Sequence, residues 1–312
     1  MFGMTIDVAP RRPLAAAQDC GSRRLLVVFN PAAGRKRRPR YEAVLAALRN
    51  EGCAVTAVET TAPGHAEQLA RDLAPMAFDV IVAAGGDGTI NEIVNGLGDK
   101  AVALGLIPLG TANVLADELK IPRKPAAIAH VLAHGAPVRI YTGLANGRRF
   151  CMMAGVGFDA RVVAGVSLPL KKKLGPLAYV VQTAKLAFSD AFAANRITID
   201  GVARETVSAV VSKGRYYGGP FVAVREATVT DDRLHVILMH GRGPMSVIRY
   251  GLALMMGRLA KLGDVEIAPA KEIAIAGEDG APVQADGDII THLPVRISVD
   301  SRPLAVISPK LT

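Results

Sequence analysis

The stretch Asp79-Val-Ile-Val-Ala-Ala-Gly85-Gly86-Asp87-Gly88-Thr89-Ile90-Asn91-Glu92-Ile93-Val94-Asn95-Gly96-Leu97 decides how the rest of the chain is read. Its first part is a short, unbroken apolar run, the pattern of a strand buried on both faces. Its last part places Ile90, Ile93, Val94 and Leu97 at helical spacing. Between them, Gly85, Gly86 and Gly88 allow a tight turn that a phosphate can approach closely. The following helix points free N–H groups and a partial positive charge at that turn. Thr89 adds a hydroxyl donor. Asp87 cannot favour a bare phosphate, so it is expected to face a ribose, a magnesium ion or a basic partner. The same composition also makes an ordinary strand–helix turn with no ligand. The spacing is neither GxxxxGK[ST] nor GxGxxG, so the P-loop and dinucleotide fingerprints are absent.

Outward from this unit, apolar strand patterns recur at 24–30, 54–59 and 102–107, and helical patterns at 41–50, 64–73 and 125–134, with another helix after Asn113. Strands alternating with helices, apolar on both faces, predict a doubly wound parallel sheet covered on each side. The carboxyl ends of its strands share one edge, where ligands bind in such sheets. That edge collects Asn30-Pro31-Ala32-Ala33-Gly34, Gly85–Thr89 and Pro108-Leu109-Gly110-Thr111-Ala112-Asn113. The first and last are common turn and helix-cap compositions when taken singly. Meeting at one edge, the three would form a nucleotide cradle.

After about Gly135 the pattern changes to short runs punctuated by Gly, Pro and Asp, including 138–144, 149–154, 207–211, 234–239 and 295–299. This predicts a second, mainly antiparallel β domain, interrupted by helices near 174–188 and 244–262. The expected division is a disordered extension at 1–22, an α/β domain at 23–136 rejoined by 303–312, and a β-rich domain at 137–302. The extension has no apolar segment of the secretory kind.

With 312 residues, two domains are expected, and 50% hydrophobic against 21% charged residues excludes wholesale disorder. Mean hydropathy is +0.28, yet no stretch reaches the roughly 18–20 apolar residues of a membrane span. Cys20, Cys53 and Cys151 are scattered, with no CxxC, which fits a reducing compartment rather than a disulfide or zinc framework. The net charge of +9 is concentrated at the N-terminus, where residues 1–40 carry nine Arg and Lys against Asp7 and Asp19. Such a terminus can meet phosphates or anionic lipid, or can be a solvated tail and surface loop. Aromatics are 4% with no Trp, so a nucleic-acid stacking platform is not expected. His130 and His134 stand four apart on an apolar helix without HExxH, and read as surface or core histidines. No GxSxG anchors serine hydrolase chemistry. The segment 168–188 joins Lys171, Lys172 and Lys173 to an apolar helix, a pattern of either a membrane-surface element or a core helix behind a basic loop.

Taken together and in this order, Asn30-Pro-Ala-Ala-Gly34, Gly85 to Leu97 and Pro108-Leu-Gly-Thr-Ala-Asn-Val-Leu-Ala116 resemble the diacylglycerol kinase catalytic-domain family, which includes bacterial lipid kinases and sphingosine and ceramide kinases. The resemblance spans about residues 24–308. NAD kinases and phosphofructokinases share only the shorter glycine core. The implied fold is an NAD kinase/phosphofructokinase-like α/β nucleotide domain and a β-rich domain, with the active site between them. By this resemblance ATP meets Asn30, Pro31, Ala32, Ala33, Gly34, Thr60 (beside Thr61), Gly85, Gly86, Asp87, Gly88, Thr89, Ile90, Asn91 and Thr111. One of Lys171–Lys173 corresponds to a lysine that reaches the triphosphate in relatives. A structural magnesium is implied on Asp231 and the main-chain carbonyls of Thr228 and Arg233; without the resemblance, Asp231-Asp232 is simply a turn.

The family's late Asp-Gly-Glu corresponds to Asp286-Gly287-Asp288, which makes Asp286 and Asp288 the implied catalytic acids, the second one methylene short. On a regular strand the two would share a face and raise each other's affinity for a proton, although Gly287 permits a bend. Val114 stands where many relatives have Asp. The implied activity is ATP- and Mg2+-dependent transfer of the γ-phosphoryl group to a lipid hydroxyl, of a diacylglycerol or sphingoid-type lipid. It would take place in the cytoplasm at the inner membrane face, with the catalytic Mg2+ bound together with ATP. No nucleic acid is implied, and no protein partner beyond a second copy of the chain. The alternatives are an NAD kinase-like enzyme for a soluble substrate and a lipid- or nucleotide-binding protein without turnover.

Overall fold

A computed structural model of the chain describes residues 23–34, 37–166, 177–188 and 192–309. The basic extension, Arg35 with Lys36, and Lys171–Lys173 lie outside the described residues. The first half builds β1 (Arg24–Phe29), α1 (Pro31–Gly34), α2 (Arg38–Asn50), β2 (Ala54–Glu59), α3 (His65–Arg71), β3 (Val80–Gly85), α4 (Asp87–Leu97), β4 (Ala103–Pro108), α5 (Val114–Glu118), α6 (Pro125–His134) and β5 (Ala136–Ile140). The last strand, β20 (Leu304–Ser308), returns to this sheet, whose order is β2-β1-β3-β4-β20-β5.

Every residue of β3 and β4 is buried, because helices cover both faces. Alternate residues serve the two sides. Leu26, Val28, Ile81, Ala83 and Leu104 pack with Ala70 of α3 and Ile93, Val94 and Leu97 of α4. Leu25, Val27, Phe29, Val82 and Ile107 pack with Val44 and Leu48 of α2 and Ile128 and Leu132 of α6. The sheet is mixed rather than wholly parallel, since β20 runs parallel to β4 and antiparallel to β5. The run 138–144 is two strands. Its first part, in β5, completes the α/β sheet, and the chain then turns where Tyr141 N–H meets the Val229 carbonyl at 2.7 Å.

The second half comprises β6 (Gly143–Ala145), β7 (Arg148–Phe150), β8 (Met153–Gly157), α7 (Phe158–Gly165), α8 (Leu177–Ala187), β9 (Asn195–Ile199), β10 (Val202–Thr206), β11 (Ser208–Ser212), β12 (Tyr216–Tyr217), β13 (Phe221–Val222), β14 (Leu234–Met239), α9 (Gly243–Met255), β15 (Val265–Ala270), β16 (Glu272–Ala276), β17 (Pro282–Ala285), β18 (Asp288–His292) and β19 (Val295–Val299). Two antiparallel six-stranded sheets, β10-β9-β16-β19-β6-β7 and β15-β14-β11-β8-β17-β18, face each other. Phe150, Ile197, Ile273 and Ile297 of one interleave with Val156, Val211, Val236 and Val283 of the other. No helix among the described residues is long and apolar enough to cross a membrane.

Candidate active site

The order β2-β1-β3-β4 sends the chain out of β1 and β3 in opposite directions, which opens a crevice between their carboxyl ends. Asn30 ends β1. Its Oδ1 accepts the Ala32 N–H at 3.0 Å, which closes the turn through Pro31 into α1, the helix that also holds Ala33 and Gly34. Its Nδ2 donates to Thr89 Oγ1 at 3.0 Å, which ties β1 to the start of α4. Thr60, at the end of β2, donates its N–H to the Phe29 carbonyl at 2.8 Å. The third loop lies backbone to backbone on the second: a Cβ on Gly110 would stand 2.4 Å from Gly86 Cα. The amides of Leu109 and Gly110 donate to the Gly85 carbonyl at 2.8 and 3.0 Å. Asn113, at φ 54°, clamps Gly110 through both its amide oxygen and its amide nitrogen at 2.8 Å, and leaves Thr111 exposed on the rim. Arg37 donates to the Leu109 carbonyl at 2.8 Å and to that of Gly110, so part of the basic loop is internal structure. The three loops therefore meet at one edge. No side chain caps α4 at Gly86, so the amides leading into Ile90 and Asn91 open that helix as an anion cradle.

Asp87 departs from its expected partners. Its carboxylate accepts the N–H groups of Asn113 at 2.9 Å and Val114 at 2.8 Å, because the start of α5 offers amides that lack helical acceptors. Val114 thus contributes its backbone here, and its side chain is buried. Burial, reinforced by the negative charge of Asp286, pushes the Asp87 carboxyl up to about 6, against the pull of those amides.

Asp286 and Asp288 do not share a face. Asp286 (φ 48°) and Gly287 (φ 89°) form the left-handed turn between β17 and β18, which sends the two carboxylates to different neighbours. Asp286 accepts the N–H groups of Cys151 at 2.7 Å, Met152 at 2.9 Å and Met153 at 3.1 Å, and Asn91 Nδ2 at 3.1 Å. Burial raises its carboxyl above the usual range, opposed by those donors. The like charge that faces Asp286 is Asp87, across the domain boundary. Asp288 points toward the start of α4, where a Cβ on Gly88 would lie 3.3 Å from its Oδ2. It borders a cleft of about 330 Å3 with Gly88, Asn91, Glu67, Arg148 and Ile289.

Sequence reasoning missed what holds the cleft together. Asn91 and Asn95 of α4 both donate to the Arg149 carbonyl at 3.1 Å, and Arg149 N–H donates to Asn95 Oδ1 at 2.9 Å. The Arg149 guanidinium is buried, pairs with Asp300 at 2.6 Å and caps the end of α4 at the Gly98 carbonyl at 2.8 Å. The second and third asparagine-bearing turns of the glycine motif are therefore domain fasteners.

A second cavity, of about 210 Å3, lies in the β-rich half, walled by Phe158, Val162, Val210, Ile237 and Leu254. Its polar end is Asp159, which accepts from the Tyr217 hydroxyl and from Gln284 Nε2 at 2.8 Å. Gln284 Oε1 in turn accepts the Gly287 N–H at 3.1 Å, which links this cavity to the acidic turn. Thr183 of α8 and Gly251 of α9 complete the wall. On its outer side, α9 exposes Met245, Ile248, Leu252 and Met255, each more than half accessible. The described part of the basic-apolar segment 168–188 also exposes Val181 and Phe188.

The loop expected to hold a structural magnesium is occupied differently. The buried Lys213 ammonium donates to the carbonyls of Thr228 at 2.8 Å and Asp231 at 2.6 Å. Of the three implied donors, Lys213 therefore takes the Thr228 carbonyl, and it bonds Asp231 through the main chain rather than the carboxylate. Among the described residues, Glu51, His130 and His134 form one surface cluster, with His134 Nε2 2.8 Å from Glu51.

The diacylglycerol kinase catalytic domain model matches residues 24–145, and that of the YegS C-terminal NAD kinase beta sandwich-like domain matches residues 152–308. The "Probable lipid kinase YegS-like" protein of Pseudomonas aeruginosa (strain UCBPP-PA14) is 31% identical over 294 residues, covering 91% of this chain and 94% of the relative. The diacylglycerol kinase of Bacillus subtilis (strain 168) is 29% identical over 294 residues, covering 92% and 97%. A crystal structure of a diacylglycerol kinase from Bacillus anthracis str. Sterne superposes with a TM-score of 0.68 at 22% identity, covering 94% of this chain and 99% of that one. A second structure from that organism gives 0.77 at 24% identity, covering 95% and 99%. At these identities the structural likenesses carry the fold.

Proposed function

The chain belongs to the diacylglycerol kinase catalytic-domain family, a lineage of lipid kinases, and on that premise we propose that it uses ATP and Mg2+ to phosphorylate the hydroxyl of a membrane lipid. ATP, when bound, supplies the γ-phosphoryl group, and the accompanying Mg2+ neutralises its charge. The chain's own contribution is positioning. The amides of Gly86–Thr89 at the start of α4 and the hydroxyls of Thr89 and Thr111 hold the phosphates. The clamp of Asn113 on Gly110 fixes the opposite wall.

Asp286 is the proposed proton acceptor. Four donors aim its carboxylate, and burial raises its affinity for a proton toward the range a general base needs. The substrate hydroxyl takes the place of Asn91 Nδ2, one of the longer of the four bonds, which also has the Arg149 carbonyl as partner. Asp288, on the cleft rim beside Gly88, contributes negative charge where the nucleotide-bound Mg2+ would sit.

The observation that carries the lipid reading is the apolar cavity connected to the acidic turn through Asp159, Gln284 and Gly287, and roofed by helices with an exposed apolar face. That face supports peripheral attachment to a membrane, and an acyl chain is the ligand such walls accept. Labelled ATP with a total lipid extract tests this, alongside Gly251→Phe. Gly251 lines the cavity, and nothing stands within 4 Å of the Cβ it would carry, so a larger side chain can start there. The expected result is a labelled lipid whose formation Gly251→Phe reduces at least about tenfold with ATP affinity unchanged. Label appearing only in soluble NAD, or in no acceptor, would overturn the reading.

A further inference from the structure

We propose that the Lys213 ammonium is a tethered replacement for the divalent cation that the family resemblance places on the loop at 228–233, so that this loop is held without metal. Lys213 follows β11, where its N–H donates to the Met152 carbonyl at 2.7 Å, and its side chain is fully buried. The backbone at 228–231 turns two carbonyl oxygens inward. Those are the hard donors that Mg2+ or Ca2+ takes. Here both accept from one nitrogen, Thr228 at 2.8 Å and Asp231 at 2.6 Å. An ion at a normal distance of about 2.1–2.5 Å from the Thr228 oxygen would stand within about 5 Å of Nζ. Three positive charges would then share a half-buried loop beside the buried Lys213 stem, where they repel one another.

The surrounding charges also lack the surplus that a divalent ion needs. Three carboxylates, Asp231, Glu118 and Asp232, act on Lys213. Asp232 pairs with Lys271 at 3.3 Å. Glu118 accepts the Arg215 N–H at 2.9 Å and faces its guanidinium at 3.8 Å. With Lys213, three acids meet three bases supplied by the protein. The loop has a structural duty, because Val229, between the two bonded carbonyls, receives the Tyr141 N–H where the chain passes from one domain to the other. Glu118 belongs to α5 of the first domain, so the Lys213–Arg215 segment joins both halves of the molecule.

This inference stands apart from the kinase reading, since it is tested by metal content and melting rather than by turnover. Mn2+ uptake by the nucleotide-free full chain is measured by electron paramagnetic resonance for the wild type, Asp231→Asn, Lys213→Met and the double variant. The wild type is expected to show no Mn2+ site that Asp231→Asn removes. Lys213→Met keeps the apolar stem but leaves two carbonyls unpaired. It should melt about 5 °C or more below the wild type and gain a Mn2+ site that Asp231→Asn abolishes. The proposal fails if the wild type binds Mn2+ through Asp231, if Lys213→Met melts within 1 °C of the wild type, or if it acquires no Mn2+ site. Should Lys213→Met not fold, the comparison of wild type with Asp231→Asn still decides.

Discussion

Replacing Asp286 by asparagine removes one oxygen from a carboxylate that uses both. Oδ1 accepts the amides of Met152 and Met153, and Oδ2 accepts the Cys151 amide and Asn91 Nδ2. A carboxamide presents one oxygen and one NH2. However it is turned, two donors then face another donor. An unsatisfied buried donor costs about 1–3 kcal/mol, so Asp286→Asn should lose about 2–6 kcal/mol of stability. For a chain of this size that lowers Tm by at least about 3 °C. Lipid phosphorylation should fall about a hundredfold or more, the scale of a lost general base. Nucleotide affinity should stay within a few-fold, because the glycine loops are held by bonds inside the first domain. Scanning fluorimetry, phosphorylation of lipid with labelled ATP, and calorimetry with a non-hydrolysable nucleotide measure the three quantities. A variant that melts within 1 °C of the wild type and keeps more than a tenth of its turnover refutes the reasoning. If Asp288→Asn abolishes turnover while Asp286→Asn does not, the two acids exchange roles.

Gly110→Ala should keep the fold but part the two loops, because its Cβ would lie 2.4 Å from Gly86 Cα. We expect about 1–3 kcal/mol of destabilisation and at least tenfold weaker nucleotide binding by calorimetry, whereas Gly251→Ala, with open space at its Cβ, should be silent. Asp87 has a folded-state value raised to about 6 from 3.8, so its stabilising contribution is complete below about pH 4 and lost as pH rises through 6, at most about 3 kcal/mol. The Tm of the wild type minus that of Asp87→Asn should therefore rise as pH falls from 7 to 4; a difference that falls contradicts the buried, like-charged setting. Ile248→Ser with Leu252→Ser should reduce sedimentation with anionic vesicles more than tenfold, since both side chains are exposed on the outer face of α9; unchanged binding would remove that face as the membrane contact.

The first domain was legible because its strands are continuous apolar runs and its helices keep a 3.6-residue period, both of which are local signals. The meeting of Asn30, Gly86 and Gly110 at one edge followed from the parallel direction of the strands alone. Pairing direction was less legible: β5 looks like any short apolar run, and its antiparallel neighbour β20 lies far away in the chain. The same limit explains Asp87, whose true partners are amides at 113 and 114, and Asp286, whose partners are amides at 151–153. A backbone N–H carries no residue-type signature, so no motif could announce it. Arg149 and Lys213 were overlooked for a related reason, as single bases among many, distinguished only by being buried.

Those two buried cations both sit where the two halves of the molecule meet. Arg149 ties the end of α4 to Asp300, and Lys213 with Arg215 ties the 228–233 loop to α5. Each joins the α/β half to the β-rich half through donors that would be costly to leave unpaired. A hinge that opened freely between the domains would have to break both. Asp87, which fixes the glycine loops, and Asp286, which fixes the acidic turn, therefore face each other across a seam that these contacts hold. The two carboxylates are close enough to feel each other's charge. Their repulsion, together with burial, raises the proton affinity of Asp87. Under the proposed function, a bound cation or a transferred proton would relieve that repulsion, and the packing of the two domains would have supplied part of the positioning in advance.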